Sequence, residues 1–304
     1  MQLDPERALR APGAWTHRDI SANSCRFHLA ELGEGPLVVL LHGYPMMWWT
    51  WRAQLEAISA AGYRVVAMDL RGFGGSDHPP HGYDPLTMAE DVASVVRTLG
   101  AQQAIVIGHG WGGLGAWTLA ATYPEITHAI GVVGMPHPVQ MRRSYLRSPK
   151  QFRRGLYTLG YQLPFWPESK LQRHDAAAID ALLRTWSSDD AWLTDEVSAV
   201  YRCVFEVWPT AHTSIEYHRW AIRSMFRPDG LSYMKRMRTP INVPVLQLHG
   251  EFDPTMLADS VDGSEQFVGG EYQRVMLPCG HFPHEELPES FNDAVISWLL
   301  AHAA

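Results

Sequence analysis

The stretch Ala104-Ile-Val-Ile-Gly-His-Gly-Trp-Gly-Gly113 decides the fold of this chain. Its first part, Ala104 to Gly108, is an apolar β-rich run that predicts a buried strand, and the residues from Gly113 to Tyr123 predict a helix. Small residues on both sides of the turn allow it to pass close to its neighbours. The turn therefore displays one residue above the end of a strand, and that residue is Gly110.

Similar apolar runs recur on both sides of this stretch, with helical segments between them. They are Leu37–Leu41, Arg64–Leu70, Ala129–Val133, Val243–Leu248 and Gln273–Leu277. This alternation predicts an α/β fold in which a mostly parallel central sheet of buried strands is flanked by helices. One flanking helix is expected over Met88–Leu99, with Thr87 and Glu90 as its capping box.

The alternation stops in the middle of the chain. Between residues 136 and 238, Arg, Trp and Tyr cluster in helical segments such as Asp175–Trp186 and Trp192–Trp208. Prolines on both sides of this region mark points where a helix cannot continue. We therefore expect an α/β core formed by residues 1–135 and 239–304, with residues 136–238 inserted as a helical cap.

Composition excludes several classes of protein. The 304 residues include 25 Lys and Arg against 32 Asp and Glu, and a net charge of −7 argues against nucleic acid as a partner. The apolar runs are shorter than the roughly 20 residues that span a bilayer, so no membrane partner is expected. The segment Met1–Pro12 has no apolar core typical of a secretory signal, which favours a soluble, cytoplasmic protein. Whether the chain forms a homodimer is left open.

The turn at Gly110 has the context of a nucleophile elbow, in which the central side chain attacks the substrate. Glycine has no atom that can attack. The other parts of such a site follow strand ends: Asp253 can orient His281, whose free ring nitrogen then acts as a base. The backbone N–H groups of Tyr44 and Trp111 are candidates for a hole that stabilises an oxyanion. No metal or organic cofactor is needed by this chemistry, and no cluster of metal ligands suggests one.

Four motifs carry a resemblance to a known family: His42-Gly-Tyr-Pro45, Asp69-Leu-Arg-Gly-Phe-Gly-Gly-Ser76, Gly108-His-Gly-Trp-Gly-Gly113 and Gly280-His-Phe-Pro-His-Glu-Glu286. Over essentially its whole length the chain resembles α/β-hydrolases of the epoxide hydrolase subgroup. The resemblance implies an α/β-hydrolase fold and a mechanism in which an elbow aspartate opens the epoxide to an alkyl-enzyme ester. A histidine-activated water then hydrolyses the ester, while two cap tyrosines protonate the epoxide oxygen.

Asp253 and His281 match that pattern, and Tyr161 resembles one of the cap tyrosines. The chain departs from the pattern at two positions, because the elbow aspartate falls on Gly110 and the second tyrosine falls on His218. A protonated His218 would still donate to an oxygen, although an ordinary imidazole is mostly neutral at pH 7.

The pocket between core and cap is expected to be apolar and to accept a small or medium hydrophobic molecule. Trp48 is the candidate for a substrate wall among the aromatic residues near the first core helix, and packing of that helix is the alternative. His109 and His137 are interpreted as structural histidines outside the catalytic set.

Three hypotheses about function remain from the sequence. In the first, His281 and Asp253 activate water or remove a substrate proton without a covalent intermediate, while Tyr161 and His218 polarise an oxygen. Such a site would hydrolyse an epoxide or ester directly, or it would act as a lyase, isomerase or cyclase. The other hypotheses are a pseudoenzyme that binds a hydrophobic ligand or partner, and an engineered knockout of the nucleophile. We favour natural divergence over engineering, because two roles of one mechanism are altered together.

Overall fold

Residues 4–302 are described by a computed structural model of the chain. The strands are β1 (Thr16–Ala22), β2 (Cys25–Leu32), β3 (Leu37–Leu41), β4 (Arg64–Met68), β5 (Ala104–His109), β6 (Thr127–Val133), β7 (Val245–Gly250) and β8 (Tyr272–Leu277). They form one sheet in the order β1-β2-β4-β3-β5-β6-β7-β8. β2 is antiparallel to both β1 and β4, and every other neighbouring pair is parallel. The expected α/β class with a mostly parallel sheet is confirmed.

The α-helices divide into those around the sheet and those inserted after β6. The first group is α1 (Pro5–Leu9), α2 (Arg52–Ala60), α3 (Pro85–Thr98) and α4 (Trp111–Thr122). The inserted helices are α5 (Pro138–Arg147), α6 (Pro149–Arg154), α7 (Tyr157–Gly160), α8 (Trp166–Trp186), α9 (Asp195–Glu206), α10 (Thr210–Arg223) and α11 (Pro228–Arg236). After β7, the chain adds α12 (Pro283–Glu286) and α13 (Pro288–Ala301). We call residues 136–238 the helical insertion.

The sheet is covered by apolar side chains on both faces. Along β3, Val39 and Leu41 belong to the cluster that also contains Trp117 of α4, whereas Val38 and Leu40 pack with Trp298 of α13. Successive side chains of a strand point to opposite faces, so an unbroken apolar run of this kind suits a strand buried on both sides. This packing fixes the strand ends, and therefore the turns that follow them.

Several sequence predictions need correction. α3 begins at Pro85 because Asp84, and not Thr87, caps it: the Asp84 carboxylate accepts hydrogen bonds from the N–H groups of Leu86 and Thr87, each at 3.0 Å. The strand near Gln273 is not buried but lies at the sheet edge with half-exposed side chains. β1 and β2 went unpredicted because polar residues interrupt their apolar pattern.

The insertion also differs in detail from the prediction. The helix expected from Trp192 begins at Asp195, where Thr194 caps it. The helix expected from Asp175 starts earlier, at Trp166, and residues 173–176 interrupt it with non-helical backbone. Residues 1–3 of the terminal segment used to argue against a secretory signal lie outside the described residues. Within residues 4–302, none of the helices combines the length and the apolar character needed to cross a membrane.

Candidate active site

We call the turn after β5, which the sequence predicts to be a nucleophile elbow, the elbow. β5 ends at His109 and α4 begins at Trp111, so Gly110 alone joins them, with φ +53° and ψ −115°. Its N–H donates to the carbonyl of Val133 at 3.0 Å, and its carbonyl accepts from the N–H of Leu114 at 3.0 Å. Residues other than glycine rarely adopt a positive φ of this kind, so glycine avoids the backbone strain that another residue would have here.

The glycines of the elbow differ in the space around them. A Cβ atom on Gly108 would lie 2.1 Å from the carbonyl oxygen of Gly112, and one on Gly112 would lie 2.4 Å from the carbonyl oxygen of Leu41. Both positions therefore exclude any side chain. A Cβ on Gly110 would meet only Gly43 Cα at 3.6 Å and His281 Nε2 at 4.0 Å. The centre of the elbow thus has room for a side chain, directed toward His281.

Asp253 and His281 are joined as the sequence predicts. Asp253 Oδ2 lies 2.7 Å from His281 Nδ1. The other carboxylate oxygen accepts from the N–H of Thr255 at 2.7 Å, the hydroxyl of Thr255 at 2.8 Å and the N–H of Met256 at 2.9 Å. Burial alone would raise the pKa of Asp253, but His281 and these donors outweigh it and hold the pKa below its ordinary value. The ionised carboxylate accepts the Nδ1 proton, which leaves Nε2 as the unprotonated nitrogen.

His281 is also fixed through its backbone. Its N–H donates to the carbonyl of Trp186 at 2.8 Å, and its carbonyl accepts from His109 Nε2 at 2.9 Å. Burial lowers the pKa of His109 well below its ordinary value, so that ring is neutral. His137 caps α5 by accepting the N–H of Val139 at 3.4 Å. Both contacts agree with the interpretation of His109 and His137 as structural residues.

A cavity of about 60 Å³ lies between the elbow and the helical insertion. Its lining residues are Tyr44, Gly110, Trp111, Met135, Tyr145, Tyr157, Trp186, His218, Thr255, Met256 and His281. Trp111 is the first residue of α4, so its N–H has no partner within the helix, and its role as an oxyanion donor stays a prediction. Tyr44, the other predicted donor, lines the same space.

Trp48 does not line the cavity, and its prediction as a substrate wall is wrong. Its side chain is fully buried, and its indole Nε1 donates to the carbonyl of Leu9 at 2.9 Å. The ring packs edge-on against Trp15, with ring centroids 5.4 Å apart. Trp48 therefore joins the amino-terminal segment to the core, which was the alternative interpretation.

Two side chains predicted from the family resemblance lie together near the cavity. The hydroxyl of Tyr161 is 2.8 Å from the hydroxyl of Tyr44, and the Tyr161 ring centroid is 5.2 Å from that of His218. Burial raises the pKa of Tyr161 to about 12, so this hydroxyl keeps its proton near neutral pH. Tyr161 therefore has a proton to donate, but its hydroxyl contacts that of Tyr44, and Tyr161 is not one of the described residues that line the cavity.

His218 differs from the expectation. The indole Nε1–H of Trp111 donates to His218 Nε2 at 3.2 Å. Burial lowers the pKa of His218 to about 3, so its ring is neutral and the nitrogen facing Trp111 carries no proton. A protonated His218 that polarises a substrate oxygen is not compatible with this environment.

Tyr145 and Tyr157 line the cavity but were missed from the sequence. The ring centroid of Tyr157 lies 5.7 Å from that of Tyr161 and 6.0 Å from that of His218. Although the residue is 37% exposed, desolvation around its hydroxyl raises the pKa of Tyr157 above its ordinary value, and this hydroxyl forms no hydrogen bond with any residue between 4 and 302. The available signal was the spacing of Tyr157 and Tyr161, since residues four apart share one face of a helix.

Comparisons with known proteins agree with this architecture. The family model described as alpha/beta hydrolase fold matches residues 36–288. Epoxide hydrolase 4 of Mus musculus is 31% identical over 309 residues, which cover 98% of this chain and 83% of that protein. AB hydrolase superfamily protein YfhM of Bacillus subtilis is 30% identical, with coverage of 92% of this chain and 96% of that protein.

A solved structure gives the same result. Epoxide hydrolase A from Mycobacterium thermoresistibile is 28% identical and has a TM-score of 0.81, covering 94% of this chain and 98% of that chain. Together, the sheet order, the elbow turn and the matched region assign the fold. The chain therefore belongs to the α/β-hydrolase fold family, as an epoxide hydrolase-like member.

Proposed function

We propose that this chain is a hydrolase of hydrophobic epoxides or esters in which a water molecule attacks the substrate directly. The observation that carries the proposal is the position of His281 Nε2, 4.0 Å from where a Cβ on Gly110 would lie. A general base must lie about 2.6–3.2 Å from the atom whose proton it removes. The space left by the missing side chain therefore suits a water molecule that donates to His281 Nε2.

The proton transfers follow from the Asp253–His281 pair. His281 Nε2 takes a proton from the water as its oxygen attacks the electrophilic carbon, and the ionised Asp253 stabilises the imidazolium that forms. The imidazolium then gives the proton to the leaving oxygen, or to the tyrosinate that remains after a tyrosine has protonated that oxygen. Water is added across the broken bond, so atoms and charge balance without a covalent enzyme intermediate.

The oxygen that leaves an epoxide needs a proton donor, and His218 does not supply one. Tyr161 is shared with Tyr44 in a hydrogen bond of 2.8 Å, whereas the Tyr157 hydroxyl is free to donate. We assign Tyr161 as one donor and Tyr157 as the second, in place of the tyrosine that the resemblance expects at residue 218. For an ester, the N–H groups of Tyr44 and Trp111 would stabilise the oxyanion instead.

The size of the cavity limits the substrate. At about 60 Å³ it is well below the roughly 300–1,000 Å³ of typical ligand pockets. We therefore propose that the helical insertion acts as a cap, which moves to admit a small or medium hydrophobic molecule. Two of its tyrosines, Tyr145 and Tyr157, line the cavity, so this motion would also bring donors onto the substrate.

Product formation from a panel of epoxides and activated esters tests the proposal, with the unmodified protein and Gly110→Asp run in parallel. We expect the unmodified protein to form diol or acid at a slow but measurable rate. Gly110→Asp should form diol faster, because its carboxylate restores the attacking group.

A second candidate function is a binding protein for a hydrophobic ligand, and the unprotonated state of His218 together with the glycine at residue 110 favours it. It predicts product from Gly110→Asp alone, with ligand binding by the unmodified protein. Turnover by the unmodified protein would contradict this candidate, and absence of turnover across the panel would contradict the hydrolase proposal.

A further inference from the structure

One stretch of the helical insertion contains many exposed apolar side chains and many basic residues, close together along the chain. We call residues 142–166 the basic apolar face. Its exposed apolar residues are Leu146, Phe152, Leu156, Leu159, Leu163, Phe165 and Trp166, with Phe165 84% exposed and Leu146 77% exposed. Its basic residues are Arg142, Arg143, Arg147, Lys150, Arg153 and Arg154. The stretch contains no Asp or Glu, although the whole chain has a net charge of −7.

The positive charges of this face are not neutralised within the protein. Among residues 4–302, no carboxylate forms an ion pair with any of its six basic side chains. Arg143 instead contacts the amide oxygen of Gln266 at 3.5 Å and the ring of Phe267. Lys150, Arg153 and Arg154 line a shallow groove of about 670 Å³. These cations are therefore available to an external anionic partner.

We propose that the basic apolar face binds to the surface of an anionic lipid bilayer. A bilayer surface offers phosphates to cations and, a few ångströms deeper, apolar chains to leucine, phenylalanine and tryptophan. Nucleic acid would pair with the cations but leave the exposed leucines in water. Large apolar patches on a soluble surface mark interaction sites, and the unpaired cations beside this patch specify a negatively charged one.

This mode of binding differs from spanning the membrane. A surface segment with an apolar and a cationic side lies in the interface and needs no long apolar helix. We expected no membrane partner because no apolar run is long enough to span a bilayer. That reason does not apply to binding at the bilayer surface. α5 and α6 carry all six of the cations, and the two helices pack on each other.

The face also lies beside the cavity. Tyr145 of α5 and Tyr157 of α7 line the cavity, and the exposed residues Leu146 and Leu156 adjoin them in the chain. A hydrophobic molecule dissolved in the bilayer would thus reach the cavity without crossing water. This delivery step rests on the proposed function, whereas binding of the face to lipid does not.

Vesicle flotation with the full chain tests the proposal. The probes are vesicles of phosphatidylcholine alone and vesicles that also contain phosphatidylglycerol. We expect binding to the anionic vesicles to be at least ~10-fold stronger, and to weaken as salt is added, because salt screens the attraction. Binding that does not depend on anionic lipid, or no binding to either vesicle, would overturn the proposal.

Two sets of substitutions locate the contact. Arg147→Glu with Arg153→Glu and Arg154→Glu should abolish binding to anionic vesicles, and Leu146→Ser with Phe165→Ser should weaken it several-fold. The matched control is Arg97→Glu with Leu300→Ser, at an exposed cation and an exposed leucine outside the face. Thermal melting checks that each variant is folded, and equal loss of binding in the control would contradict the assignment.

Other occupants of the face give distinct results. Sedimentation of the protein without lipid would reveal a dimer, and its disruption by Leu146→Ser with Phe165→Ser would assign the face to a second copy of the chain. Binding of duplex DNA that is lost in the arginine variant, without binding of vesicles, would assign the face to nucleic acid. Either result would overturn the lipid proposal.

Discussion

The two walls of the cavity have changed in different ways from the pattern of the family that the chain resembles. On the wall formed by the core, Asp253 and His281 are fixed by short hydrogen bonds, and the altered position, Gly110, leaves an open space. On the wall formed by the insertion, the altered position holds His218, which is an acceptor for Trp111. The Asp253–His281 pair is thus retained next to an open space, whereas the position of the second expected donor holds a hydrogen-bond acceptor. This difference is the reason for proposing direct attack by water with His281 as the base and a tyrosine as the acid.

Substitution of His281, the proposed base on the core wall, should have the largest effect, which is on turnover. We expect His281→Gln to reduce kcat by about 10²–10⁴-fold, because a general base contributes about that much. Steady-state kinetics on any substrate found in the panel measures the effect, and urea unfolding checks the fold.

His128→Gln is the matched control for this substitution. His128 is a partly buried histidine on β6 whose ring Nε2 lies 2.9 Å from the carbonyl oxygen of His302, and the variant should retain full activity. Unchanged turnover in His281→Gln would show that the Asp253–His281 pair is structural.

The next largest effect should be on the free energy of unfolding, when a side chain is added at Gly110 or at Gly112. Gly112→Ala should lower the free energy of unfolding by roughly 3 kcal/mol or more, because its Cβ would lie 2.4 Å from a backbone oxygen. Gly110→Ala should lower the free energy of unfolding by only about 1–2 kcal/mol. The added Cβ has space, so the cost is only the strain of a positive φ. Gly110→Asp should also be less stable than the unmodified protein. Urea unfolding measures the stability of all three variants. Equal losses for the alanine substitutions at residues 110 and 112 would contradict the open space at Gly110.

These elbow positions show what the sequence could predict. Three local patterns indicate residues at the carboxyl ends of strands in a parallel sheet. They are the glycines two residues before and after the centre of the turn, an acid after one strand and a histidine after the last strand. In the structure, Gly110 and His281 line one cavity and Asp253 contacts His281, whereas the catalytic roles stay predictions. Strand ends are set by the buried apolar runs, so the sequence determines them closely.

The other wall was less predictable for physical reasons. The side of an insertion helix that faces the cavity depends on how several short helices pack, and no local pattern reveals it. Tyr157 was therefore missed, and Trp48 was assigned to the cavity although it is buried against the amino-terminal segment. The pKa of His218 could not be predicted either, because burial sets it.

The buried state of His218 predicts a smaller effect that depends on pH. Its pKa is lowered from 6.5 to about 3, so the unfolded chain binds a proton that the folded protein excludes. This histidine therefore costs stability increasingly as the pH falls from about 6.5 toward 3, by roughly 1.4 kcal/mol per pH unit. His218→Gln should lose less stability than the unmodified protein between pH 7 and 5 in urea unfolding. Parallel pH profiles for the two proteins would contradict a neutral, buried His218.

The smallest effect should come from the second donor on the insertion wall. We expect Tyr157→Phe to slow epoxide opening by about tenfold, less than the usual contribution of a general acid because Tyr161 remains. An activated aryl ester needs no protonation of its leaving group, so its hydrolysis should be unchanged. Rates on both substrates measure the difference. An equal loss on both would show that Tyr157 shapes the cavity rather than donating a proton.

The central claim is that water attacks the substrate without a covalent intermediate, and a single turnover in isotope-labelled water tests it most directly. With enzyme in excess over an epoxide, the account predicts that the unmodified protein places labelled oxygen in the diol during the first turnover. Gly110→Asp is the control, because its carboxylate should transfer an unlabelled oxygen first. Unlabelled diol from the unmodified protein would mean that a protein oxygen attacks the substrate, and would contradict the account.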